Sequence, residues 1–209
     1  MNNSLHVAIC GNIGCGKTTL ASMLAKQFGW KAEMESVEDN PYLEDFYEDM
    51  KRWSFHLQVY FLNSRFNQIK RIRESETSTI QDRTIYEDAF IFADNLHQSQ
   101  LMNERDYQCY LTLFQSMIQH VQAPDLLIYL KADIPKLVAQ IEKRGRSYEN
   151  AIRIDYLKNL NTRYENWIKN YSDSKLLIID MNNTDFVNKP EDFSNIVSRI
   201  DVEVNGLFS

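Results

Sequence analysis

Eight consecutive residues carry the plainest chemistry in this chain. Gly11-Asn12-Ile13-Gly14-Cys15-Gly16-Lys17-Thr18 fits G-x-x-x-x-G-K-[ST] at every required position. The glycines let the backbone curl so that successive N–H groups point inward, where they can cradle phosphate oxygens. A helix opening just after the loop adds the partial positive charge of its N-terminus. In that setting Lys17 reaches the β- and γ-phosphates of ATP, the Thr18 hydroxyl ligates Mg²⁺, and Thr19 extends the loop. The pattern is strong for nucleotide binding and silent about what receives the phosphoryl group.

Four further groups bear on the acceptor. Glu35 follows a predicted strand, and in an open parallel sheet ligands gather beyond the carboxyl ends of the strands. Taken alone it is equally an ordinary glutamate in an acidic stretch. Asp82-Arg83-Thr84 ends another strand in the same way. The acid can hold Mg²⁺ directly or through water, and Arg83 can neutralise charge developing on the transferred group. An acid beside an arginine is also a common structural ion pair. Gln58 and Arg65 lie seven apart, on one helical face near Phe61 and Leu62, where an amide and a guanidinium could bind a nucleobase edge. A core stripe with polar borders has the same period. Lys143-Arg144-Gly145-Arg146 puts three cations around a flexible point, which suits a lid over phosphates or a basic helix end facing its own dipole.

The elements that must hold these groups are short apolar strands alternating with helices. Strands are expected at 5–10, 31–34, 79–81, 125–130 and 176–179. Helices are expected at 18–28, 41–49, 53–74, 106–122, 134–143, 154–171 and 193–204. Thr84-Ile85-Tyr86-Glu87 fits a capping box and opens one more helix. This alternation implies a three-layer α/β domain over 1–209, with about five parallel strands covered on both faces.

Composition narrows the partners. The formal charge is −6, with 44% hydrophobic and 25% charged residues, which excludes a nucleic-acid backbone or an anionic membrane as the main partner. The N-terminal residues lack a secretory pattern and no stretch reaches the roughly 20 apolar residues of a membrane helix. The three cysteines, Cys10, Cys15 and Cys109, follow no metal or redox spacing. A cytoplasmic protein with free thiols is the expectation.

Together these segments resemble the deoxyribonucleoside kinase family, and most closely its bacterial deoxyadenosine/deoxycytidine kinase branch. The likeness is carried by GNIGCGKTT (11–19), ESVEDNPYLEDFYEDMKRWSFHLQVYFLNSRF (35–66), QDRTIYEDAFIFA (81–93), IEKRGR (141–146) and TRYENWI (162–168), and it spans about residues 5 to 190. The resemblance implies transfer of the ATP γ-phosphoryl to a deoxynucleoside 5′-hydroxyl, with Mg²⁺, in a homodimer packed through helices. It makes Glu35 the general base, Asp82 the acid associated with Mg²⁺, and Arg83 a neighbour of the 5′-oxygen and the transferred phosphoryl. Tyr47 and Glu149 would hold the sugar 3′-hydroxyl. Gln58 and Asp88 would read the base with Arg65 beside them, and Phe92 would pack on it. Arg144 and Arg146 become lid arginines, while Asp185 and Phe186 fall near the loop around the adenine of ATP. Three positions depart from the pattern: Gln140 in place of a lid arginine, Ser36 in place of a proline, and Cys15 in place of serine or alanine.

A nucleoside monophosphate kinase shares the phosphate loop, an Asp-Arg pair and a lid. Its acceptor is already anionic and needs cations rather than a base, whereas a neutral hydroxyl gains from a carboxylate that takes its proton. The carboxylates between 35 and 92 favour the neutral acceptor. A nucleotide switch without transfer chemistry would need no second pocket. Asp88 and Gln58 suit adenine or cytosine, with guanine still open, and disfavour thymine. Cys15, between two loop glycines and near Lys17, is either a candidate for a low-pKa thiolate or simply a small residue that the loop tolerates.

Overall fold

The computed structural model describes residues 4–35 and 40–206. Ser36 lies outside them. Five parallel strands form one sheet in the order β2-β3-β1-β4-β5. They are β1 (His6–Gly11), β2 (Lys31–Glu33), β3 (Thr79–Asp82), β4 (Leu126–Lys131) and β5 (Lys175–Asp180). β1 is buried along its whole length and pairs with both β3 (Val7↔Ile80) and β4 (Val7↔Leu126). This centrality matches its unbroken apolar run, since a strand covered on both faces cannot alternate with polar residues.

Alternate residues of the central strands feed two cores. Val7, Ile9, Ile80 and Ile128 face α1 (Lys17–Phe28) and α9 (Pro190–Asn205) through Leu20, Leu24, Ile196 and Ile200. Ala8, Cys10, Leu127 and Tyr129 face the other side, where Leu57 and Phe61 of α3 (Met50–Glu74) meet Leu160 and Tyr164 of α8 (Ile154–Lys169). α2 (Leu43–Glu48) packs its Leu43 and Phe46 onto this second core. A third cluster lies outside it, between α3 and α6 (Glu104–Ile118), and includes Leu62, Ile69, Tyr110 and Phe114.

Several helix ends follow from local capping. α3 starts three residues earlier than periodicity suggests because Asp49 accepts from Arg52 N at its N-terminus. α6 likewise starts at Glu104, capped by Asn103 accepting from Asp106 N at 2.9 Å. α9 begins at Pro190, whose missing N–H costs nothing in a first turn. The expected capping box is formed: the Thr84 side chain accepts from Glu87 N while Glu87 accepts from Thr84 N. The helix it opens has an α-helical turn, α4 (Ile85–Glu87), a π-helical stretch Asp88–Ala93, and an α-helical end, α5 (Asp94–Gln98). Period alone does not reveal the π-helical insertion. α7 (Ile134–Arg144) ends at Gly145 in the left-handed conformation, and a short 3₁₀ turn Ser147–Ala151 leads to α8. No helix among the described residues is long and apolar enough to cross a membrane.

Candidate active site

The phosphate loop joins β1 to α1. Gly11, Gly14 and Gly16 adopt positive φ, of 144°, 84° and 95°. At Gly14 a Cβ would stand 2.8 Å from both Leu137 O and Ile141 Cγ1, so the loop can lie against α7 only as glycine. Asn12 turns its amide onto α8, donating to Leu157 O and Asn161 Oδ1, while its carbonyl oxygen caps Ile13 N. Lys17 is buried and donates to Gly11 O at 2.8 Å and Asn12 O at 2.9 Å, which keeps its ammonium along the loop.

Thr18 and Asp82 meet across the end of β3. The Thr18 hydroxyl donates to Asp82 Oδ2 at 2.5 Å, and Asp82 Oδ1 is buried without a hydrogen-bond partner among the described residues. A hydroxyl and a carboxylate with an unused oxygen, beside a phosphate loop, fit Mg²⁺, which takes few protein ligands and relies on substrate phosphates for the rest.

Glu35 follows β2 and sits between two arginines. Its Oε1 accepts from Arg65 Nη2 at 2.7 Å and from Arg83 Nε at 2.9 Å. Burial acts to raise its pKa, but Arg83, Arg65 and Lys17 together overcome this and hold it at about 2. The Glu35 carboxylate is therefore ionised throughout the physiological range. Arg83 has φ +72°, unusual for a residue with a side chain, and its guanidinium lies 4.5 Å from the Phe92 ring centroid.

Asp88 begins the π-helical stretch and is buried, with Oδ2 at 3.5 Å from Arg65 Nε and without a hydrogen bond. Burial, helped by Glu35 and Glu87 and only partly offset by Arg65 and Arg83, raises its pKa to about 7. Gln58, also buried, leaves its Oε1 without a hydrogen-bond partner among the described residues. Gln58 and Asp88 line one cavity, and two polar side chains with hydrogen-bonding capacity to spare suit a polar ligand edge.

That cavity, about 850 Å³, runs from the loop residues Gly16 to Thr19 past Glu35 and Arg83 to Gln58, Asp88 and Phe92. Tyr47, Glu149, Arg144 and Arg146 line it too. Arg65 does not: it is fully buried behind Glu35 and Asp88, so its influence on a ligand runs through those two carboxylates. The lid differs from the expectation in its pairing. Arg144 grips Glu149 through both nitrogens (2.9 and 2.5 Å) and Arg146 stands 3.8 Å away, so one carboxylate balances both cations. Tyr47 stacks on Tyr148, the residue before Glu149, with centroids 5.5 Å apart. Gln140 and Lys143 line this cavity and also a smaller one of about 150 Å³. Asp185 and Phe186 line only the smaller one, beside Gly14 and Gly16. Phe186 is buried against the loop, within 3.4 Å of where a Gly16 Cβ would be.

Residues 7–205 match the family profile of the deoxynucleoside kinases. The chain belongs to the deoxynucleoside kinase family. It is 41% identical over 196 residues to the deoxyadenosine/deoxycytidine kinase of Bacillus subtilis (strain 168), covering 93% of this chain and 90% of that one. It is 34% identical over 204 residues to the deoxyguanosine kinase of the same organism, covering 96% and 98%. The solved deoxyadenosine kinase of M. mycoides, with products dCMP and a flexible dCDP bound, superimposes with a TM-score of 0.84 at 30% identity, over 94% of this chain and 99% of that one. This kinase is thus an ATP-dependent phosphotransferase acting on the 5′-hydroxyl of deoxynucleosides.

Of the two readings of Cys15, the kinase's geometry contradicts the thiolate and agrees with a small residue tolerated in the loop. Cys15 is buried, and burial pushes its thiol pKa up despite Lys17 and Arg83. The helix terminus and the lysine cannot compensate for lost hydration of a thiolate. Cys109 is the exposed cysteine. A small alkylating agent should therefore modify Cys109 first and leave Cys15 intact, with activity retained, as read by mass spectrometry and assay of the same sample. Two site residues escaped sequence reasoning. Glu87 was visible only as a capping residue, and Tyr164 only within the TRYENWI segment; both are fully buried against Arg83.

Proposed function

We propose that this kinase phosphorylates deoxyadenosine and deoxycytidine, using Glu35 as the base for the 5′-hydroxyl and Mg²⁺ held at Thr18 and Asp82. The observation that carries this reading is the continuity of the cavity from the phosphate loop to the buried Gln58–Asp88 pair. A nucleobase with an exocyclic amine suits that pair, because a carboxylate accepts from the amine while a glutamine amide can both donate and accept on the same edge. The greater identity to the deoxyadenosine/deoxycytidine kinase than to the deoxyguanosine kinase, 41% against 34%, favours the same choice.

In this reading the base lies against Phe92, and Tyr47 with Glu149 holds the 3′-hydroxyl. Glu149 also joins the sugar end to the lid arginines, so sugar recognition and phosphate closure share one carboxylate. Glu35 accepts the hydroxyl proton, and Arg83 faces the charge developing on the transferred group. Mg²⁺, which Thr18 and Asp82 would hold, would supply neutralisation of the triphosphate's charge. Lys17 and the loop N–H groups hold the triphosphate, Asp185 and Phe186 border its adenine, and Arg144 and Arg146 close over it. Phe90, whose exposed ring packs on Phe114 of the outer cluster, and the exposed Leu113 of α6 supply a face for a homodimer.

The metal assignment has a direct check. Asp82→Asn should raise the Mg²⁺ concentration giving half-maximal activity by about tenfold or more, the scale of losing one charged ligand contact, with deoxynucleoside affinity unchanged. A variant with the wild-type Mg²⁺ dependence would remove Asp82 from the metal site.

A further inference from the structure

Glu87 takes no direct part in the chemistry above, yet it is fully buried and both of its oxygens are engaged. Oε2 accepts from Thr84 N at 2.7 Å and from the Thr84 hydroxyl at 3.1 Å, which completes the helix cap. Oε1 accepts from the Tyr164 hydroxyl at 2.7 Å and from Gly11 N at 3.4 Å, and lies 3.5 Å from Arg83 Nη1. The Tyr164 hydroxyl in turn accepts from Arg83 Nη1 at 2.9 Å. A helix cap needs only the first oxygen and is ordinarily served near solvent. The second oxygen, driven into the protein interior, ends on Arg83 and on the first turn of the phosphate loop.

Arg83 is thereby held along its length. Its N donates to Ile9 O at 2.9 Å with φ at +72°, its Nε is on Glu35, and its Nη1 is on Tyr164 and Glu87. Tyr164 itself is fixed by stacking on Tyr129 of β4, with centroids 6.0 Å apart and rings 19° from parallel. We propose that Glu87 and Tyr164 are positioning residues for phosphoryl transfer, fixing the Arg83 guanidinium against Glu35 and tying it to the phosphate loop through Gly11. The inference rests on the reading of Arg83 as the cation beside the transferred group. An arginine side chain has many rotamers, and a donor already aimed costs no reorganisation when charge develops in the transition state.

The test is a double-mutant cycle between positions 164 and 83. Tyr164→Phe keeps the ring and removes one oxygen. Its kcat should fall about tenfold, as expected for one hydrogen bond lost at a group that acts in the transition state. KM for ATP and for the deoxynucleoside should stay within about twofold, because neither ground-state complex uses the hydroxyl. In an Arg83→Lys background, whose own kcat is reduced, Tyr164→Phe should change kcat less than about twofold, since the group it positions is gone. A general loosening of the core would lower kcat by the same factor in both backgrounds, and that result overturns the proposal while leaving the role of Arg83 standing. Wild-type kcat in Tyr164→Phe overturns it equally. Wild-type kcat in Arg83→Lys overturns both the proposal and the reading of Arg83. If Tyr164→Phe does not fold, Glu87→Gln in the same cycle decides the matter by the same criteria.

Discussion

Glu35→Gln lowers kcat by about two orders of magnitude or more, the scale of a lost general base, and leaves ATP affinity unchanged. The substitution keeps shape and a hydrogen-bond acceptor but removes the charge that takes the 5′-hydroxyl proton. At about 2, the pKa of Glu35 is low for a base. A loose transition state accommodates this, because little bond to the nucleophile has formed when the phosphoryl leaves and the proton moves late. The same substitution leaves the buried Arg65 without one of its two carboxylate partners, so the variant should also melt at a lower temperature. Turnover is therefore read at a temperature where circular dichroism shows it folded. Near-normal turnover under those conditions removes Glu35 from the chemistry.

Asp88 gives the second large effect, and its sign is fixed by its environment. With a pKa of about 7 in the free protein, Asp88 is about half ionised at neutral pH. The ionised carboxylate is a stronger acceptor for an exocyclic amine than the neutral acid, so deoxyadenosine and deoxycytidine should bind more tightly at pH 8 than at pH 6, by up to about tenfold. Thymidine presents a carbonyl at that place. An ionised Asp88 facing it is a buried charge without a donor, which is expensive, so thymidine should be poor at pH 8 and improve as pH falls. Asp88→Asn should flatten both dependences and lower overall efficiency. Titration calorimetry across this range reads them directly, and Glu35 cannot mimic the effect because it is ionised throughout. Stability follows the opposite trend. The folded protein holds this proton more tightly than an unfolded aspartate, whose pKa is about 4, so the Asp88 contribution to stability falls as pH rises from about 4 to 7 and stays low above.

Much of this site was legible in the sequence because backbone topology carries it. The loop 11–18 announces its glycines, the runs feeding β1 and β4 are apolar without alternation, and Asp82 closes the short strand Thr79–Asp82, whose burial its polar residues do not announce. Glu35 was readable from its place just after the expected strand 31–34, at the carboxyl end of the strand beside β3. The side-chain partnerships were not readable, since they depend on tertiary packing or on the path of a turn. Tyr164 and Glu87 are 77 residues apart and meet only through packing of α8 on the sheet. Glu149 was assigned to the sugar, and its grip on Arg144, five residues away, follows from the chain reversing at Gly145 into the 3₁₀ turn Ser147–Ala151. Cys15 misled because its neighbours in sequence favour a thiolate, while its burial depends on residues far along the chain.

The most direct measurement is a phosphorylation panel with Mg-ATP at pH 8. It offers deoxyadenosine, deoxycytidine, deoxyguanosine, thymidine and, as an anionic acceptor, dCMP. The Gln58–Asp88 pair and the Glu35 base predict efficient conversion of deoxyadenosine and deoxycytidine to their 5′-monophosphates, thymidine as a poor substrate, and no phosphorylation of dCMP. Thymidine as the best substrate, or dCMP phosphorylated in preference to the nucleosides, would contradict the account.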